Sequence, residues 1–226
     1  MTASEEIKDL FIADGISDIG FSVLPEPVKE LPNAITLVMK MNDSVIDEIE
    51  ETPTYAYYHL YRTVNTFLDM STLKLCELLR RRGFKSFAVA SSQSVHDQKD
   101  KYTGVFQHKT AAVLSGLGFI GKSALFIHKD MGSRVRLATV LTDMPVPPAE
   151  VMTSKCGSCT VCQKLCPSGA ILGKEYIQGM PRSEIFDAQK CSEHMKDKYK
   201  NIGRGAVCGI CVSKCAYNGQ KESCQK

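Results

Sequence analysis

The chain has 226 residues, enough for one medium domain and a smaller one. Its composition is that of a globular protein without tryptophan, and no apolar run approaches the roughly 18 to 20 residues of a membrane span, so a soluble protein with no membrane partner is expected. The net charge of +3 hides an asymmetry, because residues 1–150 carry 16 basic and 19 acidic side chains whereas residues 151–226 carry 12 and 6.

The opening Met1-Thr2-Ala3-Ser4-Glu5-Glu6 is not the basic and then apolar start of a signal peptide, so a cytoplasmic location is expected. Ser4 to Ala13 reads as a short amphipathic helix with Ser4 as its cap, Glu5 and Glu6 in the first turn, and Asp14-Gly15 as its stop. Ile16 to Val23 has strand character, a proline-bounded piece follows from Pro25 to Pro32, and Ala34 to Met39 is a second apolar strand. Asp43 to Glu51 reads as a helix capped by Asn42 or Asp43. Thr54 to Arg82 contains no Gly or Pro, and Tyr61, Val64, Leu68, Leu75 and Leu79 recur at helical spacing, which predicts one long helix closed by Arg80-Arg81-Arg82-Gly83. At 1.5 Å per residue it reaches about 40 Å, long enough to be the spine of a first domain or a dimer seam. Its tyrosines Tyr55, Tyr57, Tyr58 and Tyr61 read first as packing residues.

Phe84 to Ala90 reads as a strand and Ser91 to Gly104 as a long polar loop, a type of segment that often carries function. Phe106 to Ser115 reads as a helix ending at Gly116-Leu117-Gly118-Phe119-Ile120-Gly121-Lys122. Three glycines so close together allow a flat or phosphate-bearing cofactor near the backbone, but they follow a helix and precede a strand, which is the wrong setting for a dinucleotide fingerprint. Ser123 to His128 and Val135 to Leu141 are expected as two strands joined by a hairpin turn at Lys129-Asp130-Met131-Gly132. Pro145-Val146-Pro147-Pro148 is a stiff linker, so a division into residues 1–150 and 151–226 is expected.

Nine of the ten cysteines lie beyond that linker, eight of them in the motifs that follow. Cys156, Cys159, Cys162 and Cys166-Pro167 form C-x2-C-x2-C-x3-C-P, the spacing by which bacterial-type ferredoxins hold 4Fe-4S clusters, with the fourth cysteine ligating the other cluster. Cys191, Cys208, Cys211 and Cys215 repeat the pattern with the first member displaced. The metal ligands are therefore expected as Cys156, Cys159, Cys162 and Cys215 for one cluster, and Cys191, Cys208, Cys211 and Cys166 for the other. Structural zinc fits two consecutive C-x2-C steps followed by C-x3-C-P poorly, and disulfides need an oxidising compartment. Cys76 reads as a small buried hydrophobe and Cys224 as part of a polar tail. The basic character of residues 151–226 reads either as solvated lysines or as a docking face for an acidic electron donor or a nucleic acid.

The order of these motifs resembles epoxyqueuosine reductase. That family shows G-L-G-W-I-G-K, L-T-D-x-P and C-G-x-C-x-x-C-x-x-x-C-P-T-G-A-I in this order, matched by Gly116 to Lys122, Leu141 to Pro145 and Cys156 to Ile171. Asp187 to Cys191 looks like its D-x-x-x-C, Cys208 to Asn218 like its C-D-x-C-Q-x-x-C-P-W-N with Ala216-Tyr217 in place of Pro-Trp, and Tyr58-His59 like part of its D-Y-H. The likeness runs from about Phe106 to Asn218, half of the chain. It implies an α/β fold: a nitroreductase-like domain that binds cobalamin base-off, followed by a ferredoxin-like two-cluster domain, as in reductive dehalogenases. It also implies a cofactor cradle at Gly116, Gly118 and Gly121 with Lys122, Ser123 and Tyr58 nearby.

Two departures bear on the reaction. The family's catalytic Asp, in D-S-x-P-x-x-E, falls at Tyr102, which is a candidate proton donor of the kind found in reductive dehalogenases, with Asp100 as the neighbouring alternative. The chain stops eleven residues after Cys215, so the helical-repeat domain that grips tRNA in the family is expected to be absent, and tRNA is compatible with the resemblance but not an expected partner. The expectation is a cobalamin-dependent reductase acting on an unknown substrate, supplied by a low-potential donor of ferredoxin or flavodoxin type, and assembled as a homodimer. The alternative is a non-catalytic electron carrier or reductive activator that serves a corrinoid or flavin on a partner protein. Nucleic-acid binding has no base-reading motif and ranks last.

Overall fold

A computed structural model of the chain describes residues 2–93 and 102–218. In chain order its elements are α1 (Ala3–Ala13), β1 (Asp18–Val28), β2 (Leu31–Lys40), α2 (Asp43–Asp47), α3 (Tyr55–Arg81), β3 (Ser86–Val89), α4 (His108–Leu114), β4 (Gly118–Ile120), β5 (Phe126–His128), β6 (Val135–Thr142), α5 (Val161–Lys164), α6 (Ala188–Lys198) and α7 (Ile210–Ser213), with 3-10 turns at Arg182–Glu184 and Gly203–Gly205. The chain forms two compact units. One comprises Met1–Lys40, Thr63–Gly118 and Arg136–Met152; the other comprises Met41–Arg62, Phe119–Val135 and Thr153–Lys226.

The first unit is mixed α/β, built on a four-stranded sheet in the order β1-β2-β6-β3. β1 and β2 pair antiparallel from Asp18 opposite Val38 to Val23 opposite Asn33 and again at Val28 and Leu31, with the register broken between Val23 and Val28. Pro25 and Pro27 fall inside that break, where a residue without an N–H is tolerated. The proline-bounded piece expected from the sequence is thus largely strand, and the chain reverses at Lys29 and Glu30, both with positive φ. β6 lies between β2 and β3, so its residues are buried almost without alternation.

α1 starts two residues earlier than its expected cap implied. Thr2, not Ser4, closes a capping box with Glu5, the Glu5 N–H donating to the Thr2 hydroxyl at 3.2 Å and the Thr2 N–H to the Glu5 carboxylate at 2.7 Å, while Ser4 is buried inside the helix. Ile7 and Phe11, one turn apart, are the buried face of α1. On α3 the expected stripe is real, with Val64, Leu68, Leu75 and Leu79 all buried. α4 packs on β1 and β2, where Gly20 leaves space that Ser115 and Leu117 fill; a Cβ there would meet the Leu117 side chain at 2.7 Å. Leu24, Leu31, Ala34, Val89, Ala111 and Leu141 are one core cluster of this unit.

The second unit gathers the short elements. The glycine motif, expected as a cofactor cradle between a helix and a strand, contributes β4, which pairs with β5 in a two-stranded sheet. The expected hairpin between Ser123–His128 and Val135–Leu141 does not form as such. The turn after β5 exists, closed by His128 and Gly132 with N–H to carbonyl distances of 2.8 and 3.0 Å, but β6 leaves it to pair with β3, because its length and two buried faces suit a sheet interior.

Candidate functional site

The site begins at the turn between β4 and β5. The Ala124 N–H donates to the Gly121 carbonyl at 2.9 Å and the Gly121 N–H to the Leu125 carbonyl at 3.0 Å, with Ala124 at φ +58, so Lys122 and Ser123 project from a fixed turn. Gly121 carries no side chain because none fits: a Cβ would lie 2.5 Å from Ile127 Cδ1 and 3.2 Å from the Cys156 sulfur. Cys156, Cys159, Cys162 and Cys215 line one cavity together with Lys122, Ser123 and Tyr217. The structure therefore brings together the first expected quartet, including its distant member Cys215.

Backbone geometry explains how Cys166 leaves that group. Cys162 sits on the single turn of α5; Cys166 follows, and Gly169, at φ +61 with its N–H on the Cys166 carbonyl at 3.1 Å, reverses the chain. Ile171 then bridges Phe186, the Leu172 N–H donates to the Ile185 carbonyl at 3.0 Å, and the Asp187 N–H to the Ala170 carbonyl at 2.8 Å. These bonds tie the segment after Cys166 to the start of α6. Asp187 caps α6 by accepting from the Lys190 N–H at 2.9 Å, and Cys191 follows one turn later. Cys208 precedes α7, Cys211 lies on it and Cys215 follows it.

The thiols sense one another in the two expected sets. Burial, then the neighbouring Cys156, Cys215 and Cys159, push Cys162 up to about 11. Burial, then Cys208 and Cys166, push Cys191 up to about 12, and Cys211 is raised by burial and by Cys208, Cys191 and Cys166 in turn. Cys166 is the exception: burial raises it, but the Ser168 hydroxyl at 3.3 Å and the backbone N–H groups of Ala170, Ile171 and Ser168 together hold it below the ordinary thiol range. Buried thiols of this kind give up their protons to a metal, so metal binding here is coupled to proton release. Among the described residues no three His, Cys, Asp or Glu side chains are grouped as ligands of one metal ion. The thiols are spread around a cavity, which fits a cubane offering a separate iron to each thiolate and does not fit a closed tetrahedral zinc site.

Residues that sequence reasoning did not single out hold these loops. The Ser133 hydroxyl donates to the Val212 carbonyl at 2.9 Å, the Ser133 N–H donates to Asn218 Oδ1 at 2.9 Å, and the Asn218 side-chain amide donates to the Val212 carbonyl at 2.5 Å, which fixes the turn around Cys215. Asn218 was visible as the end of a motif; Ser133 had no signal. The Tyr199 hydroxyl, buried and within 3.4 Å of both His194 Nε2 and the Glu51 carbonyl, also reaches the Cys208 thiol.

The other expected site residues are dispersed. Gly116 belongs to the first unit, at φ +69, with the Glu150 carbonyl 2.7 Å from where its Cβ would be, and Gly118 opens β4. Tyr58 lies in the second unit, its ring against Gly203 and under the Arg62 guanidinium at 5.6 Å. Tyr102 is half-buried in a turn, and Asp100 lies outside the described residues.

Residues 155–218 match the family described as 4Fe-4S double cluster binding domain. An epoxyqueuosine reductase of Listeria monocytogenes is 26% identical over 215 residues, covering 94% of this chain and 55% of the relative. This chain is epoxyqueuosine-reductase-like. Its fold agrees: the selenomethionine-labelled crystal structure of an epoxyqueuosine reductase superposes with a TM-score of 0.64 at 19% identity, covering 95% of this chain and 65% of that one. A reductive dehalogenase of B12-dependent dehalogenation gives a TM-score of 0.73 at 17% identity over 96% of this chain and 32% of that one. The epoxyqueuosine-reductase-like chain thus spans about half the length of the curated relative. No helix among the described residues is long and apolar enough to cross a membrane.

Proposed function

We propose that the chain is an iron-sulfur oxidoreductase that passes electrons through two 4Fe-4S clusters to a bound corrinoid, for reduction of a substrate still to be identified. The observation that carries this reading is the sorting of the eight thiols: Cys156, Cys159, Cys162 and Cys215 line one cavity, while Cys166 is carried to Cys191, Cys208 and Cys211. Clusters held in this way reach the low end of a range that extends to about −700 mV, as reduction of a corrinoid cobalt requires. In this reading residues 151–226 are the cluster domain, residues 1–150 a nitroreductase-like cofactor domain, and a low-potential ferredoxin or flavodoxin the donor. Tyr102 is its proton donor, with Asp100 as the alternative. The proposed assembly is a homodimer through the first part, supported by Met70 and Leu73, which are exposed one turn apart on α3.

The corrinoid rests on the resemblance. The spaces beside Gly116 and Gly121 are taken by the Glu150 carbonyl and by Ile127 and Cys156, so these two glycines serve the chain's own packing and no step is assigned to a corrin through them. That packing favours a second reading, an electron carrier or reductive activator acting on a corrinoid or flavin held by a partner.

Anaerobic purification after expression with cobalamin, with the visible spectrum and with iron and cobalt counted per chain, separates the two. About eight irons, the content of two 4Fe-4S clusters, together with stoichiometric cobalt support the reductase. The same iron without cobalt or flavin, even after reconstitution, supports the carrier. Absence of iron after reconstitution contradicts both.

A further inference from the structure

We propose that Lys122 positions the Cys156–Cys159 loop and supplies the fixed positive charge that sets the potential of the cluster on Cys156, Cys159, Cys162 and Cys215. Lys122 is 8% exposed, far below what a lysine ordinarily shows. Its amine donates to the Gly157 carbonyl at 2.5 Å and the Cys159 carbonyl at 3.2 Å, both within the C-x2-C loop, and it lines the cavity that the four thiols share. The two acceptors are neutral, and among the described residues no carboxylate pairs with the amine.

A buried ammonium held only by carbonyls is costly unless an anion stands near it. The thiolates of a cluster are that anion, since a cubane with four thiolate ligands carries net negative charge. The reduced cluster carries one more negative charge than the oxidised one, so a fixed cation in the same cavity favours reduction and raises the potential. The β4–β5 turn makes this possible: it holds Lys122 from the backbone, and the absence of a side chain at Gly121 lets Cys156 approach. Among the described residues, the groups that hydrogen-bond Cys166 and Cys208 of the second set are the Ser168 and Tyr199 hydroxyls and backbone N–H groups. The two clusters are thereby made unequal.

The inference rests on the two-cluster part of the proposed function, which the iron content of the parent protein tests separately. The experiment is an EPR-monitored potentiometric titration, with dithionite as reductant, of the full chain reconstituted with iron and sulfide, comparing the parent with Lys122→Met and Lys122→Arg. The expected result is that Lys122→Met keeps both clusters and makes one of them about tenfold harder to reduce, about 59 mV for one electron, while the other is unmoved and Lys122→Arg restores the parent value. Two clusters with unmoved midpoints in Lys122→Met overturn the role of Lys122 and leave the functional reading standing. Loss of one cluster in Lys122→Met that Lys122→Arg repairs supports the role; loss that Lys122→Arg does not repair overturns it.

Discussion

His108 shows how much one side chain settles in the first unit. Its Nε2 lies 3.0 Å from the Ala90 carbonyl, which only accepts, so Nε2 carries the proton; Nδ1 then accepts from the Thr139 hydroxyl at 2.9 Å. The ring joins the start of α4 to the residue after β3 and to β6. Burial, against the pull of the Ala90 carbonyl and with the Arg136 charge adding to it, lowers its pKa to about 4. The unfolded chain therefore takes up this proton first. The contribution of neutral His108 is complete above about pH 6.5, the unfolded value, and is lost as pH falls toward 4. Urea unfolding at pH 7.5 and 5 is expected to show His108→Gln reducing the difference in stability by about 1–2 kcal/mol. An unchanged pH slope removes this account. Nothing in the sequence marked His108, because its partners lie 18 and 31 residues away. Seven of the eight motif cysteines stood out because each pairs a ligand chemistry with a short, repeated spacing, and Cys191 was added as the displaced member of the second set.

At the scale of elements, α6 links a local signal to the site. Asp187 accepts from the Lys190 N–H at 2.9 Å, and its own N–H is held by the Ala170 carbonyl at 2.8 Å, so one residue both starts the helix that carries Cys191 and receives the strand-like segment after Cys166. Asp187→Ala keeps the backbone bond and loses the cap. It is expected to cost about 1 kcal/mol in thermal or urea unfolding and to speed iron loss from one of the two clusters, followed by the bleaching of visible absorbance under chelator, with Asp187→Asn close to the parent. Equal iron loss in all three would detach the cap from the cluster. α1 and α3 were readable because their apolar periodicity is helical and they have clear stops. The misreadings have the opposite cause. β4 was hidden by glycines that tertiary packing requires, and the partners of β6 could not be inferred from adjacency, since a strand buried on both faces carries no alternation to say which neighbours it takes.

For the whole molecule, the sequence order of the thiols and their spatial order differ, and the proposed function rests on that difference. Cys166 follows Cys162 by one helical turn yet belongs with Cys191, Cys208 and Cys211 in the proposed arrangement, while Cys215 returns to Cys156, Cys159 and Cys162. In that arrangement each motif donates one ligand to the other's cluster, and neither cluster would form without both segments being folded. The Cys211 thiol is raised also by Cys162 of the other set. The motif spacing suggested this crossing, whereas residues that hydrogen-bond the thiols and their loops, Ser133, Ser168 and Tyr199 among them, are scattered through the chain without a pattern. The most direct test counts iron and acid-labile sulfide per chain and records the EPR spectrum of the reduced protein for the parent, Cys166→Ala and Cys215→Ala after anaerobic reconstitution. About eight irons in the parent and about four in each variant are predicted, with each variant losing the signal that the other retains. Loss of the same signal in both variants, or a Cys166→Ala protein that keeps the cluster of Cys191, Cys208 and Cys211 intact, would contradict the crossed arrangement.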